Sequence, residues 1–135
     1  MIKRLFDIIF SLLGLIILLP FFVLTTILIK KDSKGSVFYR GIRSGKNGKP
    51  FKIFKFRTMV ENAEKIGGPS TGFNDFRFTK LGKFLRRYKI DELPQLINIL
   101  KGEMSMVGPR PQVEEYTKQY KGEDKMILSV KPGLT

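Results

Sequence analysis

Between Asp7 and Lys30 the chain reads IIFSLLGLIILLPFFVLTTILI, with no charge anywhere from residue 8 to residue 29. No soluble amphipathic helix has this composition. As one helix the run would be about 33 Å long at ~1.5 Å per residue, enough to cross the hydrocarbon core of a bilayer. By length alone a simple spanning anchor is the plainest reading. Two features point elsewhere. Pro20 sits near the middle, where it removes a backbone hydrogen bond, clashes with the carbonyl of Ile16 and pushes Leu19 out of helical geometry. Both flanks are also basic, Lys3 and Arg4 before the run and Lys30, Lys31 and Lys34 after it, so the charge rule gives no direction across the membrane. Equal flanks suit two ends that return to one face. The expectation is a re-entrant helix-break-helix hairpin over residues 1–30, broken at Pro20, with a kinked single span as the alternative. The run is too long for a cleavable signal peptide and lacks a small-x-small cleavage site. Asp7 borders the run and reads as an interfacial group, a charge at a helix N-terminus, or a partner for Lys3 or Arg4.

The remainder, residues 31–135, is expected to be a small α/β domain resting on the membrane, mostly helical with a short β-hairpin. The absence of Cys and His excludes disulfides, thiolate nucleophiles, imidazole bases and His/Cys zinc sites. Catalysis would have to use carboxylates, Lys, Arg, Tyr, Ser, Thr or a hard cation held by oxygen. With 25 Lys and Arg against 12 Asp and Glu, the net charge of +13 calls for an anionic partner: nucleic acid, anionic lipid or a phosphorylated substrate.

GSVFYRGIR and FKIFKFRTM are aromatic and β-branched runs around SGKNGKP, whose Asn47-Gly48 signals a hairpin turn. VENAEKI suits a short helix, and GGPSTGFND, from Gly67 to Asp75, reads as loop. Thr79 can cap a helix carrying Leu81, Phe84, Leu85 and Tyr88 on one face and Lys80, Lys83, Arg86 and Arg87 on the other. Such a basic helix can lie on anionic lipid, border a phosphate site or simply face water. DELPQLINILKG predicts a second helix with Leu93, Leu96, Ile97 and Leu100 buried and Gly102 past its end. A third is predicted in QVEEYTKQY.

The residues that carry chemistry cluster between Arg86 and Pro111. Asp91 and Glu92 open the second helix with Pro94 close behind, an arrangement that also describes an N-cap and a first-turn acid. Against that plain reading stand Arg86, Arg87 and Lys89, whose fields would keep Asp91 ionised. A carboxylate needs no base and can attack phosphorus once cations neutralise the phosphate oxygens. Glu92 could hold Mg²⁺, a hard ion bound through one or two carboxylates plus substrate oxygens. Arg110 lies between Pro109 and Pro111, which restrict a guanidinium suited to bidentate phosphate contact.

KRLFDIIFSLLGLIILLP, KPFKIFKFRTM, IDELPQLINILKGEMSMVGPRP and KPGLT, in this order and spacing, resemble the bacterial sugar transferases known as monotopic phosphoglycosyl transferases. The resemblance implies a re-entrant helix broken at Pro20 and a Mg²⁺-dependent reaction on the cytoplasmic face of the bacterial inner membrane. It implies that Asp91 attacks the β-phosphate of a UDP-sugar, releasing UMP and forming a covalent sugar-phosphate enzyme that polyprenol phosphate discharges. Asp91 then matches the nucleophile and Glu92 the metal-associated carboxylate. Arg57, Arg86 and Arg110 match phosphate-binding positions, although many relatives carry Lys where Arg57 stands. Pro109 and Pro111 match the pair that shapes the nucleotide side. Family members continue beyond KPGLT with further helices, so the expected domain over 31–135 is C-terminally incomplete by that pattern. The competing readings are a basic membrane-bound adaptor and a non-catalytic truncated relative. No signature of nucleic-acid binding is present, and the chain's self-association, like the identity of its sugar, is left open.

Overall fold

The computed structural model describes residues 1–68, 72 and 75–135. Helix α1, Ile2–Asp32, dominates the molecule. Asp7, Ser11, Leu15, Leu18, Phe22, Thr25 and Ile29 recur at three- and four-residue steps, and this stripe faces the rest of the chain along the whole helix. The other faces leave Leu5, Phe10, Ile17, Leu24 and Leu28 exposed. The break expected at Pro20 is not seen: α1 continues through it. Pro20 and Ile16, whose carbonyl loses its partner, both lie on the exposed side, where the ring meets no packed neighbour.

The predicted hairpin is present as four short strands in one register. β1, Phe38–Tyr39, pairs antiparallel with β4, Lys55–Phe56, and β2, Ile42–Ser44, pairs with β3, Pro50–Lys52. The partners Phe38↔Phe56, Tyr39↔Lys55, Ile42↔Lys52 and Arg43↔Phe51 keep one register along the hairpin, which is divided into two two-stranded ladders. It opens around residues 53–54, where the Ile53 N–H still reaches Gly41 O at 2.9 Å and the Phe54 N–H turns to Asn98 Oδ1 at 2.8 Å. Asn47 adopts the left-handed conformation, φ 57°, that the turn demands.

Helix α2 is Ala63–Gly67, the second half of the predicted VENAEKI element, and it absorbs the start of the loop expected from Gly67. Most of that loop, residues 69–71, 73 and 74, lies outside the described residues. Helix α3, Lys80–Arg87, begins as predicted: the Gly82 N–H donates to Thr79 Oγ1 at 2.9 Å. Its apolar face is only half used. Leu85 is buried and Leu81 partly so, whereas Phe84 and Tyr88 are 52% and 59% exposed and lie against each other. The residues that meet α1 and the following segment cover a narrower arc than the apolar stripe.

The second predicted helix starts differently. Ile90–Gln95 is a 3-10 segment entered through Lys89 at φ 57°, and only Leu96–Lys101 is α-helical, α4. This tighter opening turns the phase, so Leu96, Asn98 and Ile99 are buried while Leu93, Ile97 and Leu100 are only half-buried. Gly102, at φ 86°, ends α4 as expected. The third helix is a single turn, α5, Glu114–Thr117, followed by 3-10 structure over Gly122–Ser129.

Phe51, Ile53, Leu96, Ile99 and Met104 form one core beneath the N-terminal half of α1, and Ile29, Phe56 and Leu85 form another beneath its C-terminal half. Asn98 links them to the hairpin: its Oδ1 accepts from the Phe54 N–H, and its Nδ2 donates to Lys52 O at 2.9 Å and to Glu103 Oε2 at 2.7 Å. Asp7 takes none of its expected partners. It is 3% exposed and accepts from Ser105 Oγ at 3.0 Å and the Met106 N–H at 2.9 Å, while Arg4 donates to the α4 carbonyls of Ile99 and Leu100. The first turns of α1 lie across the C-terminal end of α4, so Arg4 meets open carbonyls and Asp7 meets free donors.

Candidate functional site

The hairpin, the 3-10 segment and the chain around Arg110 enclose a cavity of about 660 Å³, lined among others by Lys55, Arg57, Arg86, Asp91, Glu92 and Arg110. Residues 40 and more apart in sequence thus meet in one place. A second cavity, about 550 Å³, shares Arg43, Lys55, Lys89, Glu92 and Arg110 with the first and adds Pro111, Val113 and Tyr116. Three of the shared residues are bonded to one another at the boundary: Glu92 Oε1 accepts from Lys55 Nζ and from Arg110 Nη2, each at 2.8 Å.

Asp91 caps no helix. The 3-10 segment is entered at Lys89 and α4 at Gln95, neither with a side-chain cap, and Asp91 instead lines the cavity while only 6% exposed. Burial pushes its carboxyl above the ordinary 3.8; Lys55 and Arg86 pull it back, and the neighbouring Glu92 charge adds to the rise. Glu92 goes the other way. Burial would raise it too, but its hydrogen bonds and charge contacts with Lys55 and Arg110 hold it below its usual 4.5. Two adjacent acids are therefore tuned apart by their partners, a pattern common where carboxylates have different tasks.

The three arginines singled out from sequence are placed unequally. Arg110 is 62% exposed and bound to Glu92. Arg86 stacks its guanidinium 4.8 Å from the Phe78 ring centre and lines the first cavity. Arg57 lines it as well, yet its outer nitrogens hold the chain leaving α1, at Ser33 O, Ser33 Oγ and Lys34 O, with Nε buried and unpartnered. Pro109 and Pro111 sit where the KPGLT segment straps the chain. The Gly133 N–H donates to Pro109 O at 2.9 Å and the Ser105 N–H to Pro132 O at 2.9 Å. Pro20 is remote in role, on the exposed face of α1.

Sequence reasoning missed Lys55. Its signal was a lone cation between Phe54 and Phe56 in a strand that needs apolar residues, a position charge occupies only with a partner. It also missed Arg77, buried and clamped to Asp75 at 2.6 Å and to the carbonyls of Ala63 and Gly68. That clamp holds Asp75 down to about 2, through the Arg77 hydrogen bonds first, and it fixes the wall contributed by α2.

Among the described residues no three acids converge, so a divalent ion would draw on Asp91 and Glu92 and complete its shell from elsewhere. A cavity with a buried carboxylate, a second carboxylate bridged by two cations and further guanidinium groups is built to receive an anion with several oxygens.

The chain is similar to several known proteins. It is 48% identical over 122 residues to a candidate undecaprenyl-phosphate N-acetylgalactosaminyl 1-phosphate transferase of Bacillus subtilis, covering 90% of this chain and 68% of that protein. It is 42% identical over 148 residues to the exopolysaccharide production protein ExoY of Sinorhizobium fredii, covering 98% and 66%. It is 46% identical over 138 residues to the UDP-glucose:undecaprenyl-phosphate glucose-1-phosphate transferase of Klebsiella pneumoniae, covering 98% of this chain and 29% of that enzyme. The chain thus spans about two thirds of the shorter relatives and under a third of the longest of these. The family described as bacterial sugar transferase matches residues 1–135, end to end, and with these identities it follows that the chain belongs to the bacterial sugar transferases.

Proposed function

We propose that this protein transfers a sugar 1-phosphate from a UDP-sugar to undecaprenyl phosphate, with Asp91 as nucleophile. The observation that carries the reading is a buried carboxylate at 6% exposure in a cavity whose other walls carry Lys55, Arg86 and Arg110. Relatives named for the same transfer support the substrate class. In the first step a carboxylate oxygen of Asp91 bonds to the β-phosphorus as the bond to the UMP oxygen breaks. In the second an oxygen of undecaprenyl phosphate bonds to that phosphorus and the Asp91 bond breaks. Burial strips water from Asp91, and Lys55 and Arg86 favour its charged form. Lys55 and Arg110, already oriented by Glu92, would take up charge on the phosphate oxygens. Arg57, whose Nε lacks a partner, adds positive charge to the same wall. Mg²⁺ fits this donor set through Asp91 and Glu92, and when bound it would neutralise diphosphate oxygens. Pro109 and Pro111 shape the chain that holds Arg110 on the nucleotide side.

The same reading places residues 1–30 in the membrane as a re-entrant segment and residues 31–135 as the catalytic domain on the cytoplasmic face of the inner membrane. Both ends of α1 are tied to that domain, Arg4 and Asp7 at one end, Ile29 and Ser33 at the other. A helix crossing the bilayer would carry one of those ends away from its partners, so a segment that keeps both ends on one face of the membrane is the compatible course. The test is UMP release from a panel of UDP-sugars with Mg²⁺ and undecaprenyl phosphate. Release is expected with at least one sugar, and Arg110→Ala should slow it roughly a hundredfold, the usual cost of one lost oxyanion donor. No release with any UDP-sugar would overturn the proposal.

A further inference from the structure

Asp7 is a buried acid on the inner face of an apolar helix, and nothing in the transfer chemistry uses it. It is 3% exposed and engages residues 98 and 99 positions away, Ser105 through its hydroxyl and Met106 through its backbone N–H. Lys3, one turn earlier, donates to Val107 O at 3.2 Å. The chain from Ser105 to Arg110 is thus gripped by α1 on one side and by the strap 131–135 on the other. Ser105 pairs with Pro132 and Leu134, the Gly133 N–H with Pro109 O, and a Cβ added at Gly133 would fall on the Gly108 backbone. Four residues beyond Met106, Arg110 reaches Glu92 Oε1 at 2.8 Å. With Gly108 pinned and Pro109 fixing φ, a displacement at residue 106 has little slack to absorb it before Arg110.

We propose that Asp7 is a positioning residue for the phosphate site: by accepting from Ser105 and Met106 it sets where Arg110 stands, and so links the seating of α1 to the grip on the substrate diphosphate. This rests on the role given to Arg110 in the proposed transfer. Loss of the carboxylate would leave the half-buried Met106 N–H and the buried Ser105 hydroxyl without their acceptor and release the segment. Asn at position 7 keeps one carbonyl oxygen that can accept from both donors.

The test uses the full chain in lipid nanodiscs, with UDP binding by calorimetry and UMP release as separate readouts. Asp7→Val is expected to weaken UDP binding and raise KM about tenfold, the scale of one lost charged contact, with a smaller change in kcat. Asp7→Asn should restore most of that affinity. In the Asp7→Val/Arg110→Ala double variant, affinity should fall no further than in Arg110→Ala alone, since coupled residues are not additive. Losses that add, or unchanged UDP affinity in Asp7→Val, would overturn the inference. Should Asp7→Val fail to fold by circular dichroism, Ser105→Ala carries the same cycle with a smaller expected loss. A wild-type protein that binds no UDP counts against the site itself; one that binds UDP while the two losses add counts against Asp7 alone.

Discussion

Asp91 and Glu92 share a backbone turn and a cavity, yet their charges act on stability with opposite sign. Glu92 is held below 4.5, so it contributes stability that is present above its unfolded value and lost as pH falls through the folded one. Asp91 is raised above 3.8, so ionising it costs stability once pH passes its unfolded value. At neutral pH, thermal melts should therefore show Asp91→Asn more stable than wild type and Glu92→Gln less stable. Equal signs for the two would remove the electrostatic account. Lys55 is the strongest cation acting on Asp91, and Lys55→Met should move the acidic limb of UMP release to higher pH, because Asp91 would then ionise later. An unmoved limb would mean that Asp91 is not the group whose charge the reaction needs. Asp91, Glu92, Arg86 and Arg110 were readable from sequence because one short stretch carries them all. Lys55 was not, since it arrives from a strand 37 positions before Glu92 and only folding makes the two neighbours.

At the scale of elements, local chemistry was readable and contacts between elements were not. Asn47-Gly48 and the alternating aromatics were enough for the hairpin, and Thr79 for the start of α3. Thr79→Ala should cost about 1 kcal/mol in denaturant unfolding, the usual value for a lost cap. The phase of α4 was misread because Lys89 takes a left-handed turn and Asn98, polar yet fully buried, replaces an apolar residue as the link to the hairpin. Nothing in a helical apolar repeat signals such an exchange. The strap likewise depends on Gly108 and Gly133 meeting backbone to backbone across 25 residues. Gly133→Ala should cost about 1–3 kcal/mol, as overpacking usually does, and lower transferase activity with it by loosening the chain before Arg110. Full stability in that variant would show that the two backbones are not in contact.

For the whole molecule, the apolar run announced a membrane segment, but its length could not say how the segment is held. The buried stripe from Asp7 to Ile29 does, because it runs the full helix and ends in polar ties to one domain. Cysteines introduced at Lys3 and Lys34 should both react with an impermeant reagent from the cytoplasmic side of inverted vesicles. Reaction from opposite sides would mean a spanning helix. The claim on which the rest depends is that Asp91 forms the bond to phosphorus. Incubating the protein with Mg²⁺ and an accepted UDP-sugar, without undecaprenyl phosphate, should add the mass of one sugar phosphate, localised by peptide fragmentation to Asp91 and absent from Asp91→Asn. An adduct found on another residue, or retained by Asp91→Asn, would contradict it.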